Sequence, residues 1–461
     1  MFVIKVLAIP LFYWVYKALY GGIDHLDAGK FYHDALVINH FAYRDFVTFL
    51  KIMTGFQSED PSSYEQMNCL VNTFNWDNGT VKNYFYNDNR ILIRVNGMLN
   101  FLAFDSYFAL ALFNCFFSYM GLFFLYRSFK SWLVNKEFLA LLILCGFPSL
   151  WFYTGALLKE GLTVFFLGLS CLIMNRIVYE KKIRATLPAL FIVLLFDILL
   201  KPYLLVFSTF CFASFFLIEK KGWKFKKTIF LSSLLIFFTG LNFFYAGLKG
   251  RSLIQTAERH RHIFSGMAKG GIFLAKDSCF IRLDYGTEAI SKYKGNDSLY
   301  RVEQGARYDY WVNGSDDDTL YCASNIDTIT VYKLAYIISP GNSNLPDYDG
   351  ESTLRTGLTG IYYGIGYPFF FNAGGPVQLM VSFENLFLII SVIVIVWGFI
   401  TKTGSFLQLA LLTIFLALIL LVSFAAPNVG AIGRYRSPAA ALLIMGAVCV
   451  PRKETLPSEK N

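Results

Sequence analysis

Charge is what this chain has least of. Asp, Glu, Lys and Arg make up 16% of its 461 residues, against about 25% in a soluble globular domain, and so deep a depletion excludes an ordinary soluble fold. Histidine is rarer still, with five residues. The eight cysteines are scattered without C-x-x-C spacing, so neither a zinc site nor a redox pair is indicated. No internal repeat and no low-complexity tract interrupts the sequence.

Apolar residues fill the space that charge leaves. The chain is 55% hydrophobic and 18% aromatic, with 48 Phe and 28 Tyr. Several windows hold about 17 largely apolar residues, enough to cross about 30 Å of hydrocarbon. The expected fold class is an all-α polytopic membrane protein of about ten transmembrane helices. The windows predict spans at about 3–20, 106–126, 137–155, 158–177, 186–200, 202–218, 228–246, 380–400, 406–424 and 432–450.

The net charge of +9 does not point to nucleic acid, because many of the basic residues cluster in short loops between apolar runs. Arg127, Lys130 and Lys136 form the first group. Arg176, Lys181, Lys182 and Arg184 form the second, and Lys220, Lys221, Lys224, Lys226 and Lys227 the third. Counting spans places all three on one side, together with the tail "PRKETLPSEK". Short cytoplasmic loops are enriched in Lys and Arg, so that side is expected to be cytoplasmic and to hold both termini. Segment 3–20 lacks a small-residue cleavage site and is expected to remain as the first helix. Two long hydrophilic stretches, 21–105 and 247–379, then face outward. The resulting division is an N-terminal membrane module (1–246), an extracytoplasmic loop (247–379), and C-terminal helices with a cytoplasmic tail (380–461). A multi-pass cell (inner) membrane protein with an extracytoplasmic active face is expected.

Charges inside apolar runs are costly, at about 2.5–3.5 kcal/mol at a helix centre by insertion scales. Lys159 and Glu160 nevertheless stand together in "FPSLWFYTGALLKEGLTVFF", at the predicted outer end of the fourth span. Lys201 in "LLKPYLL" and Arg434 and Arg436 in "NVGAIGRYRSP" take equivalent places. Asp197 lies near the same end. Snorkelling of basic side chains to the headgroups explains any one of these cations, but it does not explain Glu160. A ring of Lys and Arg at the lipid–water boundary suits a phosphate or diphosphate whose tail lies in the membrane, with Arg as a planar fork and Lys as a point charge.

An acid or base would complete such a site. "GGIDHLDAGKFYHDALVINH" carries Asp24, Asp27 and Asp34 with His25, His33 and His40, and "YNDNRILIRVNGML" carries Asp88, Arg90 and Arg94. All five His, including His260 and His262, fall in the outer loops. His and Asp here could ligate a divalent ion, although no spacing is diagnostic, and the sequence points to no cofactor beyond such a metal. Asp27 could equally cap a helix over "AGKFYHDAL". Tyr308, Tyr310 and Trp311 in "RYDYWVNG" could stack on a sugar or pack on the membrane surface.

Three of these stretches carry a family resemblance. "DAGKFYHDA", "WFYTGALLKE" and "GRYRSP" resemble motifs of the GT-C superfamily of integral membrane glycosyltransferases. The chain looks most like the bacterial, dolichyl-phosphate-mannosyltransferase-like members of surface-glycan loci. The resemblance implies a polyprenyl-phosphate-linked sugar as donor and a glycan, lipid or protein acceptor. It implies an Asp of the first outer loop as catalytic base: Asp27 by motif position, with Asp24 and Asp88 as alternatives because the first loop has no tandem Asp-Glu pair. Glu160 beside Lys159 matches a second carboxylate. Lys201, Arg434 and Arg436 match the cations that hold the donor phosphate; apart from the resemblance, Lys159 joins them as a phosphate-binding candidate, and Arg90, Tyr310 and Trp311 are candidates for the acceptor or sugar. Direct displacement of this kind inverts the anomeric centre.

Two other readings compete. A repeat-unit (O-antigen) polymerase would use a diphosphate-linked oligosaccharide. A transporter of an anionic lipid-linked substrate would need ionisable groups near mid-membrane, where the sequence has few. Cys279 and Cys322 could form a disulfide, leaving Cys69 unpaired, but spacing alone does not fix the pairing.

Overall fold

The computed structural model describes residues 1–23, 27–54, 88–180, 183–250, 252–253, 255–256, 271–276, 279–283, 290–293, 296–304, 307–312, 322–325, 328–338, 353–425 and 429–449. Most of these residues are helical. Two N-terminal helices, α1 (Phe2–Val6) and α2 (Ala8–Tyr20), are followed by α3 (Asp27–Arg44), α4 (Phe46–Thr54) and α5 (Asp88–Ala103). The main bundle adds α6 (Tyr107–Phe129), α7 (Glu137–Gly146), α8 (Pro148–Phe152), α9 (Lys159–Tyr179), α10 (Ile183–Leu200), α11 (Pro202–Lys221) and α12 (Lys226–Lys249). After a sheet, α13 (Thr353–Ile365), α14 (Pro376–Ile400), α15 (Phe406–Ala425), α16 (Val429–Tyr435) and α17 (Ser437–Val448) complete the described chain.

Among the described residues, five helical segments are long and apolar enough to cross a membrane: Tyr107–Trp132, Lys159–Tyr179, Ile183–Leu200, Lys226–Gly247 and Gln378–Ile400. The expected span 137–155 is broken instead, with α7 and α8 meeting at 68°. Pro148 supplies the reason, since it has no N–H to continue the ladder and its ring obstructs the preceding turn. The last two expected spans appear as shorter apolar helices, 406–422 and 437–448.

The expectation of an all-α chain fails at 271–338. Seven antiparallel strands form one sheet there: β1 (Gly271–Lys276), β2 (Cys279–Leu283), β3 (Ile290–Tyr293), β4 (Asn296–Val302), β5 (Arg307–Val312), β6 (Cys322–Asn325) and β7 (Thr330–Ile338). Their order is β3-β4-β7-β1-β2-β5-β6. Short runs rich in β-branched and aromatic residues, as in "GIFLAK" and "TVYKLAYII", suit strands rather than long helices. The sheet also bears on the disulfide. Cys279 is opposite Val312 and Cys322 opposite Tyr310, on the two sides of β5. Two strand spacings and a two-residue offset along β5 put the cysteine Cα atoms roughly 12 Å apart, beyond the reach of a disulfide, which needs Cα atoms within about 7 Å.

Helices α6 and α9 pack most closely. A side chain at Gly121 would meet the backbone of Val164, and one at Gly168 would meet the backbone of Gly121, so small residues let the two helices touch, as membrane helix pairs require. Helix α1 docks on the broken segment through a buried lysine. Lys5 Nζ donates to Leu150 O (2.8 Å) and Thr154 Oγ1 (2.7 Å), and Trp151 Nε1 donates to Ile4 O (2.5 Å). A cation at carbonyls released by a helix break is favourably placed.

The bundle has two distinct ends. At one, Asn175 Nδ2 donates to Ser128 O (2.9 Å), Lys220 Nζ donates to Val178 O, and Lys227 Nζ lies 4.8 Å from the Phe399 ring centre. Phe129, Trp132, Phe215 and Phe406 form a chain of ring contacts nearby. All three basic connections therefore share this end. The starts of α9 and α11 lie at the other, about 30 Å away along the 21-residue α9 at 1.5 Å per residue.

Candidate functional site

Each functional side chain sits where a helix is forced to start or stop. Residues before proline disfavour the helical region, so α10 ends at Leu200, and Lys201 (φ −145°, ψ 77°) stands between it and Pro202. Leu158 is extended (φ −125°, ψ 160°) just before α9. Asn114 of α6 fixes that turn by donating to Ala156 O and to Leu158 O (3.1 Å). Between α16 and α17 the chain turns at Arg436, with Pro438 in the first turn of α17.

These ends bring together Asp27, Glu160, Lys201 and Arg434. Glu160 is fully buried. Its Oε1 accepts from Lys201 Nζ at 3.2 Å, and its Oε2 lies 3.0 Å from Arg434 Nε, close enough for an ion pair although that N–H is not aligned on the oxygen. Arg434 Nη1 donates to Asp27 Oδ2 at 2.9 Å. The result is one continuous chain of alternating charge from the first residue of α3 to the start of α11. Tyr435 backs it, with its ring centre 4.1 Å from Lys201 Nζ and 5.6 Å from the Arg434 guanidinium. Lys159 is also buried, with its ammonium 6.0 Å from the Phe31 ring centre.

A cavity of about 180 Å³ adjoins this cluster, lined by Phe12, Tyr16, Asp27, Ala28, Tyr153, Leu158 and Arg434. Its walls are aromatic and apolar, and Asp27 and Arg434 supply the charge. Arg434 is 15% exposed and Asp27 51%. A larger cavity, about 380 Å³, lies against the same helix α2 at Tyr13, Lys17, Gly21, Gly22, Ile23, Tyr107 and Phe108. It has no carboxylate in its lining, so the smaller one is the better candidate for chemistry.

Arg436 is placed differently from Arg434. It is buried, donates from Nε (3.2 Å) and Nη2 (3.0 Å) to Glu384 Oε1, and donates from Nη1 to Gly364 O (2.9 Å). Glu384 Oε2 in turn accepts from the Ser149 N–H (2.8 Å). This second pair ties α14, α13 and the broken segment together. Arg90 is buried on α5, outside the cavity lining, and Arg94 donates from Nε to Ile52 O (2.9 Å), joining α5 to α4. Asp197 is buried between Thr209 Oγ1 (2.8 Å) and Ser170 Oγ (3.3 Å).

Several other candidates fall outside the described residues or side chains. Asp24 and His25 lie outside the described residues, as do His260 and His262. Asp88 opens α5, and its side chain is outside the described set. Tyr308, Tyr310 and Trp311 are on strand β5 rather than in a loop, with side chains likewise outside that set. His40 Nε2 approaches Asp105 Oδ2 at 3.5 Å, and among the described residues no three His, Cys, Asp or Glu side chains gather to hold a metal ion.

No family model, curated protein or solved structure matches this chain. Two buried charges, Lys5 and Glu384, escaped the sequence reading. Each is a lone ionisable residue in an apolar run, the same signal that drew attention to Lys159 and Glu160.

Proposed function

We propose that the chain is a membrane glycosyltransferase that moves a sugar from a polyprenyl-phosphate donor to an acceptor hydroxyl at the outer membrane face. The observation that carries this reading is the Asp27–Arg434–Glu160–Lys201 chain beside a mixed aromatic and charged cavity, at the bundle end opposite the basic connections. In this reading about ten spans cross the membrane, the basic end faces the cytoplasm and the cavity opens outward.

Arg434 meets the donor phosphate at the cavity, with the buried Lys201 and Lys159 adding positive charge behind it, while Glu160 fixes the geometry of Arg434 and Lys201. Asp27 accepts the acceptor's hydroxyl proton as the acceptor oxygen bonds to the anomeric carbon. The bond between that carbon and the phosphate oxygen breaks, and its electron pair leaves with the lipid phosphate, whose growing charge the cations stabilise. Attack opposite the leaving group inverts the anomeric centre. Arg436, saturated by Glu384 and Gly364, is assigned to the framework and not to the donor.

The reading takes a monophosphate-linked donor, against the diphosphate-linked oligosaccharide of a repeat-unit polymerase. The test is transfer of labelled sugar by the protein in liposomes from monophosphate-linked and diphosphate-linked donors. Activity with the first, lost roughly 100-fold or more in Asp27→Asn, is the expected result. Activity confined to the diphosphate-linked donor overturns the assignment.

A further inference from the structure

The two groups this reading needs most are bound to each other. Asp27 Oδ2 sits 2.9 Å from Arg434 Nη1, and both residues line the cavity. The buried edge of Arg434 is committed to Glu160, which is itself tied to Lys201. Nη1 is therefore the side left for an incoming anion, and a carboxylate already binds it. A carboxylate and a phosphate present the same oxygen geometry to an arginine fork, so Asp27 stands where a phosphate oxygen would. While Oδ2 accepts from the guanidinium, a lone pair of Asp27 is committed to Arg434 rather than to an acceptor hydroxyl.

We propose that Asp27 and the donor phosphate compete for Arg434, so that donor binding is the event that releases Asp27 as the base. This inference rests on the glycosyl-transfer reading and adds an order to it: donor first, then acceptor. The exchange is neutral in charge, because a phosphodiester brings the single negative charge that Asp27 takes away. It requires no movement of the buried pair. Glu160, Lys201 and the guanidinium stay in place, while Asp27, half-exposed at the first residue of α3, rotates out. A base held by Arg434 until the donor arrives also leaves no activated carboxylate in the empty cavity.

Competition makes a forecast that a simple catalytic role does not: removing the base should tighten donor binding. The experiment measures the affinity of the full chain in nanodiscs for farnesyl phosphate, a short prenyl monophosphate, with inorganic phosphate as a parallel ligand. Asp27→Asn keeps the shape and removes the competing charge, and should bind farnesyl phosphate about tenfold more tightly than wild type, the scale of one charge-assisted hydrogen bond. Asp45→Asn is the control. Asp45 lies at the far end of α3, where it accepts from the Val47 and Thr48 N–H groups (both 3.1 Å), and asparagine serves equally well as a cap. It should bind like wild type, which separates competition at Arg434 from a general loss of negative charge. Equal or weaker binding by Asp27→Asn, with wild type binding well, overturns the competition and leaves the lipid-phosphate reading standing. Absence of farnesyl phosphate binding in wild type and Asp27→Asn alike overturns both. Tightening toward inorganic phosphate alone would make the site one for free phosphate and overturn the lipid donor.

Discussion

Glu160 Oε1 and Lys201 Nζ lie 3.2 Å apart with both side chains sealed from solvent. Two charges in such a place cost several kcal/mol each to desolvate, and only their mutual attraction with further hydrogen bonds offsets that cost. Arg434 on the other oxygen of Glu160 adds a second cation, so one carboxylate holds two helix ends and the short helix α16 in register. A buried pair of this kind is weak evidence for stability but good evidence for a fixed geometry.

Loss of Glu160 should therefore be felt first as instability. Glu160→Gln leaves Lys201 and Arg434 buried beside a neutral amide, a change that costs about 3–5 kcal/mol. The melting temperature of the detergent-solubilised protein, followed by tryptophan fluorescence, should fall clearly. Lys201→Met added to Glu160→Gln should recover part of the loss, because it removes one uncompensated charge. An unchanged melting temperature in Glu160→Gln would mean that water reaches the pair.

Arg436 calls for the opposite expectation from Arg434. Its guanidinium is engaged by Glu384 Oε1 and Gly364 O, with no face toward the cavity lining. Arg436→Gln should destabilise by about 3–5 kcal/mol while leaving farnesyl phosphate affinity of the folded protein within about twofold. Binding isotherms on the monodisperse fraction decide this. A selective loss of affinity at unchanged melting temperature would return Arg436 to the donor site.

How much of this was legible in the sequence follows from the range of each signal. The apolar runs and the charges within them are local, so α6, α9, α10, α12 and α14 and the four cations could be marked directly. Basic connections alternating along the chain were enough to place Lys159, Lys201 and Arg434 at one end of the bundle. Pairing is a different matter. Arg434 and Arg436 are two residues apart in one motif and look equivalent, yet Arg436 turns to a carboxylate 52 residues away and Arg434 to one that opens α3. Only the break between α16 and α17 separates them, and no local pattern encodes which carboxylate each will meet. The sheet was missed for another reason. Its strands are 4–9 residues long, and their alternation is diluted by the Asn, Asp and Gly that marked the whole stretch as loop.

Orientation in the membrane gives a third prediction. Asn372, before α14, and Lys224, between α11 and α12, lie at opposite ends of the bundle and are exposed. In a background with Cys69, Cys279 and Cys322 changed to serine, Asn372→Cys should react with a membrane-impermeant maleimide in right-side-out vesicles. Lys224→Cys should react only in inside-out vesicles. The reverse pattern would put the cavity in the cytoplasm and remove the outer-face donor.

The last prediction separates a phosphate site from cations that merely anchor helix ends. Arg434 makes two contacts at once, from Nε toward Glu160 and from Nη1 to Asp27, and only a planar fork with spaced donors can do both. Lysine keeps the charge but offers a single ammonium that cannot reach two carboxylates in that geometry. Arg434→Lys should therefore lower turnover on the order of 10- to 100-fold, the scale of one lost charge-assisted hydrogen bond. Its melting temperature should fall less than that of Glu160→Gln, because a cation still faces the buried carboxylate. Snorkelling makes the contrary forecast: a basic side chain at a helix end needs only to reach the headgroups, and lysine does that as well as arginine. Sugar transfer and melting temperature measured together on wild type, Arg434→Lys and Arg434→Gln distinguish the two. Full activity in Arg434→Lys would show that charge alone is required at this position, and the fork geometry on which the donor site is built would have to be abandoned.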